Sequence, residues 1–379
     1  MNWNKKFLRY LNINVPLTVI ILIIIGFVSI SSAVEINQSG GGALRFIQKQ
    51  AVSVVLGLLV IFILQAFDYK IFKEYSLLIY LTMIIMLVAT IFLGENVSGG
   101  RSWLNFGVFN LQTSELSKIM LILSLAAVID NNSDDMGYLT GMFLPSITAF
   151  IPFMLVILQN DLGTALVLFF IYIVMLFAGG GNFKYMAVFF GGVFLILLLL
   201  ITAHLTLDTP LPFLKDYQLN RLIVFINPQI DPQGSGYNII QSKIALGSGK
   251  LHGKGLFAGT QNQLNFLPEK HTDFIFSVLG EEFGFIGTAS VILLFLFFLW
   301  QLLKIAENAR DRYGYLVVIG ITAMFLFHIL ENIGMTMGIM PITGIPLPFI
   351  SYGGTFMLTS LTAVAIVINV NLRKNKLMF

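Results

Sequence analysis

Ten stretches of mostly apolar residues, at about 15–34, 51–67, 76–94, 115–130, 141–158, 162–179, 184–205, 284–303, 314–334 and 352–372, occupy most of this chain. An α-helix needs roughly 17–25 such residues to cross the hydrocarbon core of a bilayer. In lipid every backbone N–H and C=O must find its partner within the protein, and for runs of this length that means helices. The expected fold is an all-α integral membrane protein with about ten transmembrane helices, forming a single polytopic membrane domain over 1–379. Composition agrees, because 57% of the residues are hydrophobic and only 11% charged, whereas soluble domains carry about 25% charge. So little polar surface cannot cover a globule in water.

The first apolar run, from Val15 to about Val34, follows Lys5, Lys6 and Arg9. It is too long for the apolar core of a secretory signal and is expected to stay as the first membrane helix. The fifth and sixth runs nearly touch across Gln159-Asn160-Asp161, which predicts a tight helical hairpin. Lys and Arg in short loops mark the cytoplasmic side. With the N-terminus inside, that side collects Lys70, Lys73, Lys184, Lys304, Arg310, Arg312, Arg373, Lys374 and Lys376, while the short outer loops hold only Arg45, Lys49 and Arg101. Both termini are therefore expected to be cytoplasmic.

One segment breaks the alternation. Residues 206–283 form a long polar, glycine-rich interval between the seventh and eighth runs, and on this topology it faces outward. Loops of this length are usually functional or disordered. The persistence of Phe213, Phe225, Tyr237, Phe257, Phe266 and Phe274 favours a folded loop. Tyr237, Ile240 and Ile244 share a helical face, as in a helix lying on the membrane surface.

Few residues can carry chemistry. The absence of cysteine excludes disulfides and thiolate catalysis, and the scattered His204, His252, His271 and His328 argue against a transition-metal enzyme. Asp273 stands where polar loop meets apolar helix. A carboxylate there is partly desolvated, with a pKa raised toward the range of a general base, or it caps the following helix. Glu115 and Lys118 lie three apart on one face of the fourth run. Such charges line a cavity or pair to fix helix packing. Asp161 reads as the N-cap of the sixth run. Arg101 and Trp103 share a short outer loop, the tryptophan suited to the interface and the arginine to phosphate. Arg221, Lys243, Lys250, Lys254 and Lys270 add outer positive charge, which fits equally an anionic ligand such as a lipid pyrophosphate or simply solvated charge on a loop. The spacing of Gly247-Ser248-Gly249 and Gly253-Lys254-Gly255 is not that of an ATP-binding loop. Pro341, Pro346 and Pro348, with Gly344, Gly353 and Gly354, predict a broken segment before the last span, permissible at membrane depth only where protein buries it or a cavity adjoins it.

Several motifs carry a resemblance. Asn332-Ile333-Gly334 and Met340-Pro341-Ile342-Thr343-Gly344-Ile345-Pro346-Leu347-Pro348-Phe349-Ile350-Ser351-Tyr352-Gly353-Gly354 are similar to the signature of the bacterial SEDS family, the shape, elongation, division and sporulation proteins. The similarity extends through Asp231-Pro232-Gln233-Gly234, Gly236-Tyr237, Gln241-Ser242, both glycine pairs, Phe266 to Phe274, and Glu281-Glu282-Phe283-Gly284. Upstream it includes Gly100-Arg101-Ser102-Trp103, Ser114-Glu115 with Lys118, and Asp161-Leu162-Gly163-Thr164, so it covers nearly the whole chain in order. Gly259-Thr260-Gln261 and Asn332-Ile333-Gly334-Met335 resemble the elongation branch more than the division branch. The family commonly has proline where this chain has Asn160, a change a loop is expected to tolerate.

The resemblance implies a peptidoglycan glycosyltransferase of the bacterial cytoplasmic membrane that polymerises lipid II during cell-wall elongation and maintenance of cell shape. A lipid II flippase and a non-catalytic scaffold for a penicillin-binding protein are the alternatives. It aligns Asp273 with the family's essential loop aspartate and so favours catalysis over capping. Arg101, Trp103, Arg221, Lys254, Lys270 and His271 become substrate-binding candidates, and Glu115, Lys118, Asp161, Glu282, Pro346 and Ser351 candidates for shaping the cavity. The implied partners are a class B penicillin-binding protein and other elongation-complex membrane proteins, with no nucleic acid. A divalent cation, Mg2+ or Mn2+, is the one cofactor suggested.

Overall fold

The computed structural model describes residues 13–34, 42–97, 100–105, 110–188, 223–232, 234–264 and 266–374, together with residues 191, 192, 195, 199, 202 and 221. The apolar runs become α1 (Asn14–Ala33), α2 (Gly42–Gln65), α3 (Ser76–Leu93), α4 (Thr113–Asn131), α5 (Leu139–Leu158) and α6 (Leu162–Ala178). After the loop helix α7 (Ser235–Ser248) come α8 (Ile275–Glu307), α9 (Arg312–Met337) and α10 (Gly354–Leu372). Among the described residues, 7 helices are long and apolar enough to cross a membrane, namely α1, α2, α3, α5, α8, α9 and α10. The chain is thus a mostly helical multi-pass membrane protein. α6 is apolar but shorter, α4 carries Glu115, Lys118 and Asp130, and most of the expected span at 184–205 lies outside the described residues.

α4, α9 and α10 bury most of their side chains, whereas α2 and α3 leave many apolar ones exposed. The first three form the centre, and the other two form part of an apolar perimeter suited to lipid. At one end of the bundle the 66–75 turn meets the start of α9 and the end of α10. There Lys73 pairs with Asp130 at 2.6 Å, Lys70 with Asp311 at 3.6 Å and Arg373 with Asp68 at 3.7 Å. The buried Tyr69 donates its hydroxyl to Asp311 at 2.9 Å.

The opposite end departs from the all-α expectation. What reads in the sequence as a short loop is an antiparallel meander of β1 (Glu95–Val97), β2 (Gly100–Asn105) and β3 (Asn110–Gln112), ordered β1-β2-β3. Its strands are too short to show periodicity, and they pair as successive hairpins. The meander is fastened to the α5–α6 hairpin where the Arg101 amide donates to the Gln159 carbonyl at 2.9 Å. In that hairpin Asn160 has φ 63°. Asparagine enters this left-handed region readily, while the proline ring fixes φ near −65°, so this chain's turn has a conformation that proline at 160 would not adopt.

Parts of the long interval are helical. The eighth run begins at a kink within α8, which starts at Ile275 and breaks at Gly284, where φ is 66° and ψ −163°. The last residues of the interval 206–283 are thus helical, from Ile275 up to the kink. α7 does form; it buries Ile239, Ser242 and Ala245, and Ile244 is exposed on the face expected to meet the membrane surface. Ser242 sets that face by approaching the Ser277 hydroxyl at 2.6 Å and donating to the Thr336 carbonyl at 2.7 Å.

Candidate active site at the Asp273 turn

The turn before α8 is organised by Glu269, whose φ is 49° and whose carbonyl accepts from the amides of Thr272, Asp273 and Phe274 at 3.2, 3.1 and 3.3 Å. The next carbonyls are each held by a distant element. His271 O accepts from the Tyr352 amide at 2.9 Å, Thr272 O from the Ser351 hydroxyl at 2.6 Å, and Asp273 O from Asn332 Nδ2 at 2.8 Å. Ser351 also receives the Leu347 amide at 2.8 Å, and Asn332 donates to Ile345 O at 2.8 Å. The broken segment 341–353, with Leu347, Phe349, Ile350 and Ser351 fully buried, is thereby laced to the Asp273 turn. Irregular backbone is tolerated at this depth because protein surrounds it.

These contacts leave the Asp273 carboxylate uncommitted to the helix. The N-cap of α8 is Phe274, with no side-chain cap bond, which overturns the capping alternative. The carboxylate is half-buried and faces Gly344, where an added Cβ would stand 3.2 Å from Asp273 Oδ2. Burial, followed by the charge of Glu269, pushes its pKa up to about 6, against the opposing pull of Thr272 and Arg221. The second of these is the positive charge of Arg221. Arg221 donates to Thr343 O at 3.4 Å, next to Gly344.

The remaining expected residues divide into three groups. His271 and Ser351 belong to the turn and its clamp. The His271 ring packs edge-on against Phe46 at 4.9 Å and lies 5.8 Å from Tyr352, and burial lowers its pKa. Lys270 and Lys254 are committed elsewhere. Lys270 is buried and donates to Asn262 O. Lys254 pairs with Glu281 at 2.6 Å and donates to Thr260 at 2.7 Å. Both ammonium groups thus hold the loop together in this structure. Arg101 and Trp103 lie on the meander, the first exposed and the second paired across to Glu95 and Gln112.

Glu281 and Glu282 explain the glycine pairs. The kink at Gly284 interrupts the helical ladder of α8. Its freed groups are met by the 249–256 loop: Phe285 N donates to Lys250 O, Ile286 N to Leu251 O, Lys254 N to Glu281 O and Gly255 N to Glu282 O, all between 2.9 and 3.1 Å. Close approach requires glycine, since a Cβ at Gly249 would lie 1.9 Å from Gly280 O and one at Gly253 2.0 Å from Glu282 O. The Glu281 carboxylate receives Lys254, the Thr260 hydroxyl and the amides of Gln261 and Asn262. Glu282 receives the Ser32 hydroxyl and so joins this loop to α1.

Behind the clamp lies the intramembrane pair. Lys118 meets Glu115 at 2.7 Å and His328 Nε2 at 2.9 Å. His328 Nδ1 faces Pro346 O at 3.1 Å. A carbonyl can only accept, so Nδ1 carries the proton and Nε2 accepts from the ammonium. The pair thus reaches the broken segment through His328. Asp161 caps α6 by accepting from the Thr164 amide at 3.0 Å and also holds Ser114 at 2.8 Å, beside Glu115.

Sequence reasoning missed Asn332 and Gln50 as site-forming residues. Gln50 donates to Ser351 O at 3.3 Å and accepts from the Gly353 amide at 3.2 Å. For Asn332 the signals were its motif and an amide side chain in a mostly apolar helix, whereas Gln50, one of three glutamines in α2, gave none. Replacing Asn332 with Ala is expected to lower turnover about tenfold or more. It leaves two carbonyls without their donor, at about 1–3 kcal/mol for each buried unsatisfied group; a rate measurement on folded protein checks it.

Comparison with known proteins bears on this geometry. The sequence profile of the FtsW/RodA/SpoVE family, described as cell cycle protein, matches residues 12–376. The chain is 34% identical to the peptidoglycan glycosyltransferase RodA of Treponema pallidum, over 94% of this chain and 96% of that one. It is 33% identical to the peptidoglycan glycosyltransferase MrdB of Escherichia coli K12, over 94% of each. Among solved structures, a chain described under structural coordination of polymerization and crosslinking by a peptidoglycan synthase complex superposes with a TM-score of 0.80. Its identity is 27%, over 97% of this chain and 99% of that one.

Proposed function

We propose that this chain, which belongs to the FtsW/RodA/SpoVE family, is a peptidoglycan glycosyltransferase that polymerises lipid II into glycan strands during cell-wall elongation, with Asp273 as its general base. Its relatives are named for this activity. The observation that carries the residue assignment is the uncapped, half-buried Asp273 carboxylate beside Arg221, on a turn whose carbonyls are clamped from three positions.

In the reaction, the 4-hydroxyl oxygen of an acceptor N-acetylglucosamine bonds to the anomeric carbon of the donor N-acetylmuramic acid. The bond from that carbon to phosphate breaks, undecaprenyl pyrophosphate leaves with the electron pair, and the hydroxyl proton passes to Asp273. One displacement inverts α to β. Arg221 faces the growing negative charge of the leaving pyrophosphate, and a guanidinium suits phosphate oxygens through paired N–H donors. Among the described residues no cluster of three or more His, Asp or Glu side chains could hold a metal ion. A dedicated protein cage for Mg2+ or Mn2+ is therefore not part of the proposal, and such a cation would enter on the pyrophosphate.

The bundle end rich in Lys and Arg would be cytoplasmic by the positive-inside rule, with both termini there. The Asp273 end would then face outward, in a ten-span topology across the bacterial cytoplasmic membrane. The match to a chain described with polymerization and crosslinking supports a class B penicillin-binding protein as partner, with other elongation-complex membrane proteins.

The test is polymer formation from lipid II by purified protein with its partner, measured across pH beside translocation of lipid II in vesicles. The base must be ionised, so with a pKa of about 6 the rate should hold above that pH and fall about tenfold per unit below it. Translocation without polymer would establish the flippase, and neither activity, with the partner still bound, the scaffold.

A further inference from the structure

The polymerase reaction leaves one buried acid without a role. Glu331 is 3% exposed on α9 and accepts from the Thr343 hydroxyl at 2.8 Å. Thr343 is itself buried, and its carbonyl is the oxygen to which Arg221 donates at 3.4 Å. The same carbonyl is met by Gly163, in the first turn of α6, where a Cβ would stand 2.9 Å from the oxygen. The next residue, Gly344, has φ 77° and opens onto Asp273 Oδ2. A two-residue stretch of irregular backbone therefore has its hydroxyl anchored in α9, its carbonyl facing the guanidinium and its glycine facing the carboxylate. Without helix or strand bonding, the direction of the Thr343 carbonyl depends on such anchors.

We propose that Glu331 is a positioning residue which, through Thr343, fixes the carbonyl holding Arg221 and so orients the guanidinium for the pyrophosphate of the lipid-linked donor. The inference rests on the polymerase function and assigns a further residue to its substrate site. The role requires a hydrogen-bond acceptor at position 331 and a donor at 343, and it does not require negative charge. Glu331→Gln and Thr343→Ser should therefore keep it, whereas Glu331→Ala and Thr343→Val should lose it.

The experiment measures equilibrium binding of undecaprenyl pyrophosphate and of undecaprenol to the full-length chain in lipid nanodiscs, with KM and kcat for lipid II on the same preparations. Glu331→Ala and Thr343→Val should each weaken pyrophosphate binding about tenfold, the scale of one lost charge-assisted hydrogen bond. Their combination should be no weaker than either alone. Undecaprenol binding should not change, and the loss should fall on KM rather than kcat. Glu331→Gln and Thr343→Ser should bind within about twofold of the parent, given one retained bond. Wild-type binding by Thr343→Val, additive losses, or a Glu331→Gln as weak as Glu331→Ala would overturn the proposal. If Glu331→Ala does not fold, Thr343→Val against Thr343→Ser decides it. Binding involves no proton transfer, so Asp273→Asn should bind normally, and failure of the base assignment stays separable from failure of this one.

Discussion

Asp273→Asn is expected to abolish glycan polymerisation while leaving a folded chain that is more resistant to heat. General-base assistance is typically worth about 10²–10⁴-fold, and asparagine keeps the size of the side chain while losing its proton affinity. The clamp is unaffected, because Tyr352, Ser351 and Asn332 bind backbone carbonyls and not the side chain. The stability gain follows from the sign of the pKa shift. The folded pKa of about 6 lies above the ordinary 3.8, so folding favours the protonated form and the ionised carboxylate destabilises the native state. This cost is present above pH 6 and fades as pH falls from there toward 3.8. A neutral amide removes it, so the melting temperature of the variant should exceed that of the parent at pH 7.5 and converge with it near pH 4. Full polymerisation by Asp273→Asn would end the assignment. Lost activity with a lowered melting temperature would point to a structural role.

Gly284→Ala should produce the largest loss of folded protein. At φ 66° and ψ −163° the backbone lies where only glycine is at ease, at about 1–3 kcal/mol for another residue. The new Cβ would also stand 2.3 Å from Gly253 N and 2.7 Å from Leu251 C, both backbone atoms. Moving the 249–256 loop away would strip the amides of Phe285 and Ile286 of their acceptors, at about 1–3 kcal/mol for each buried group left unpaired. A total on the order of 4 kcal/mol or more is large against the 5–15 kcal/mol by which domains are generally stable. Detergent-solubilised Gly284→Ala should accumulate poorly and aggregate on size exclusion, and any folded fraction should lack polymerase activity. Gly247→Ala, near the end of α7, is the control. A Cβ there meets nothing within 4 Å, so accumulation should be near normal.

Much of the frame was legible because it depends on local properties. A run such as 76–94 or 314–334 must become a helix wherever it lies in lipid, since its own backbone is the nearest source of hydrogen bonds. Asp161 was readable as a cap because its partner, Thr164, is three residues away. The ion pair of Lys254 was not readable, because its partner, Glu281, is 27 residues distant and separated by a loop whose path no local pattern specifies. The β-meander was missed because its strands are too short for periodicity, and the helical segment before the Gly284 kink because Glu281 and Glu282 read as loop charges.

The amino-acid sequence by itself determined a helical membrane protein, and its motifs pointed to Asp273. Only the tertiary structure decided that Asp273 is not a helix cap and that Asn332, 59 residues away, and Ser351, on a carbonyl 79 residues from it, hold its turn. The physical reason is reach. Apolar length acts on each segment alone, whereas a carboxylate's chemistry is set by groups from α9, the broken segment and Arg221, which folding alone brings to one place.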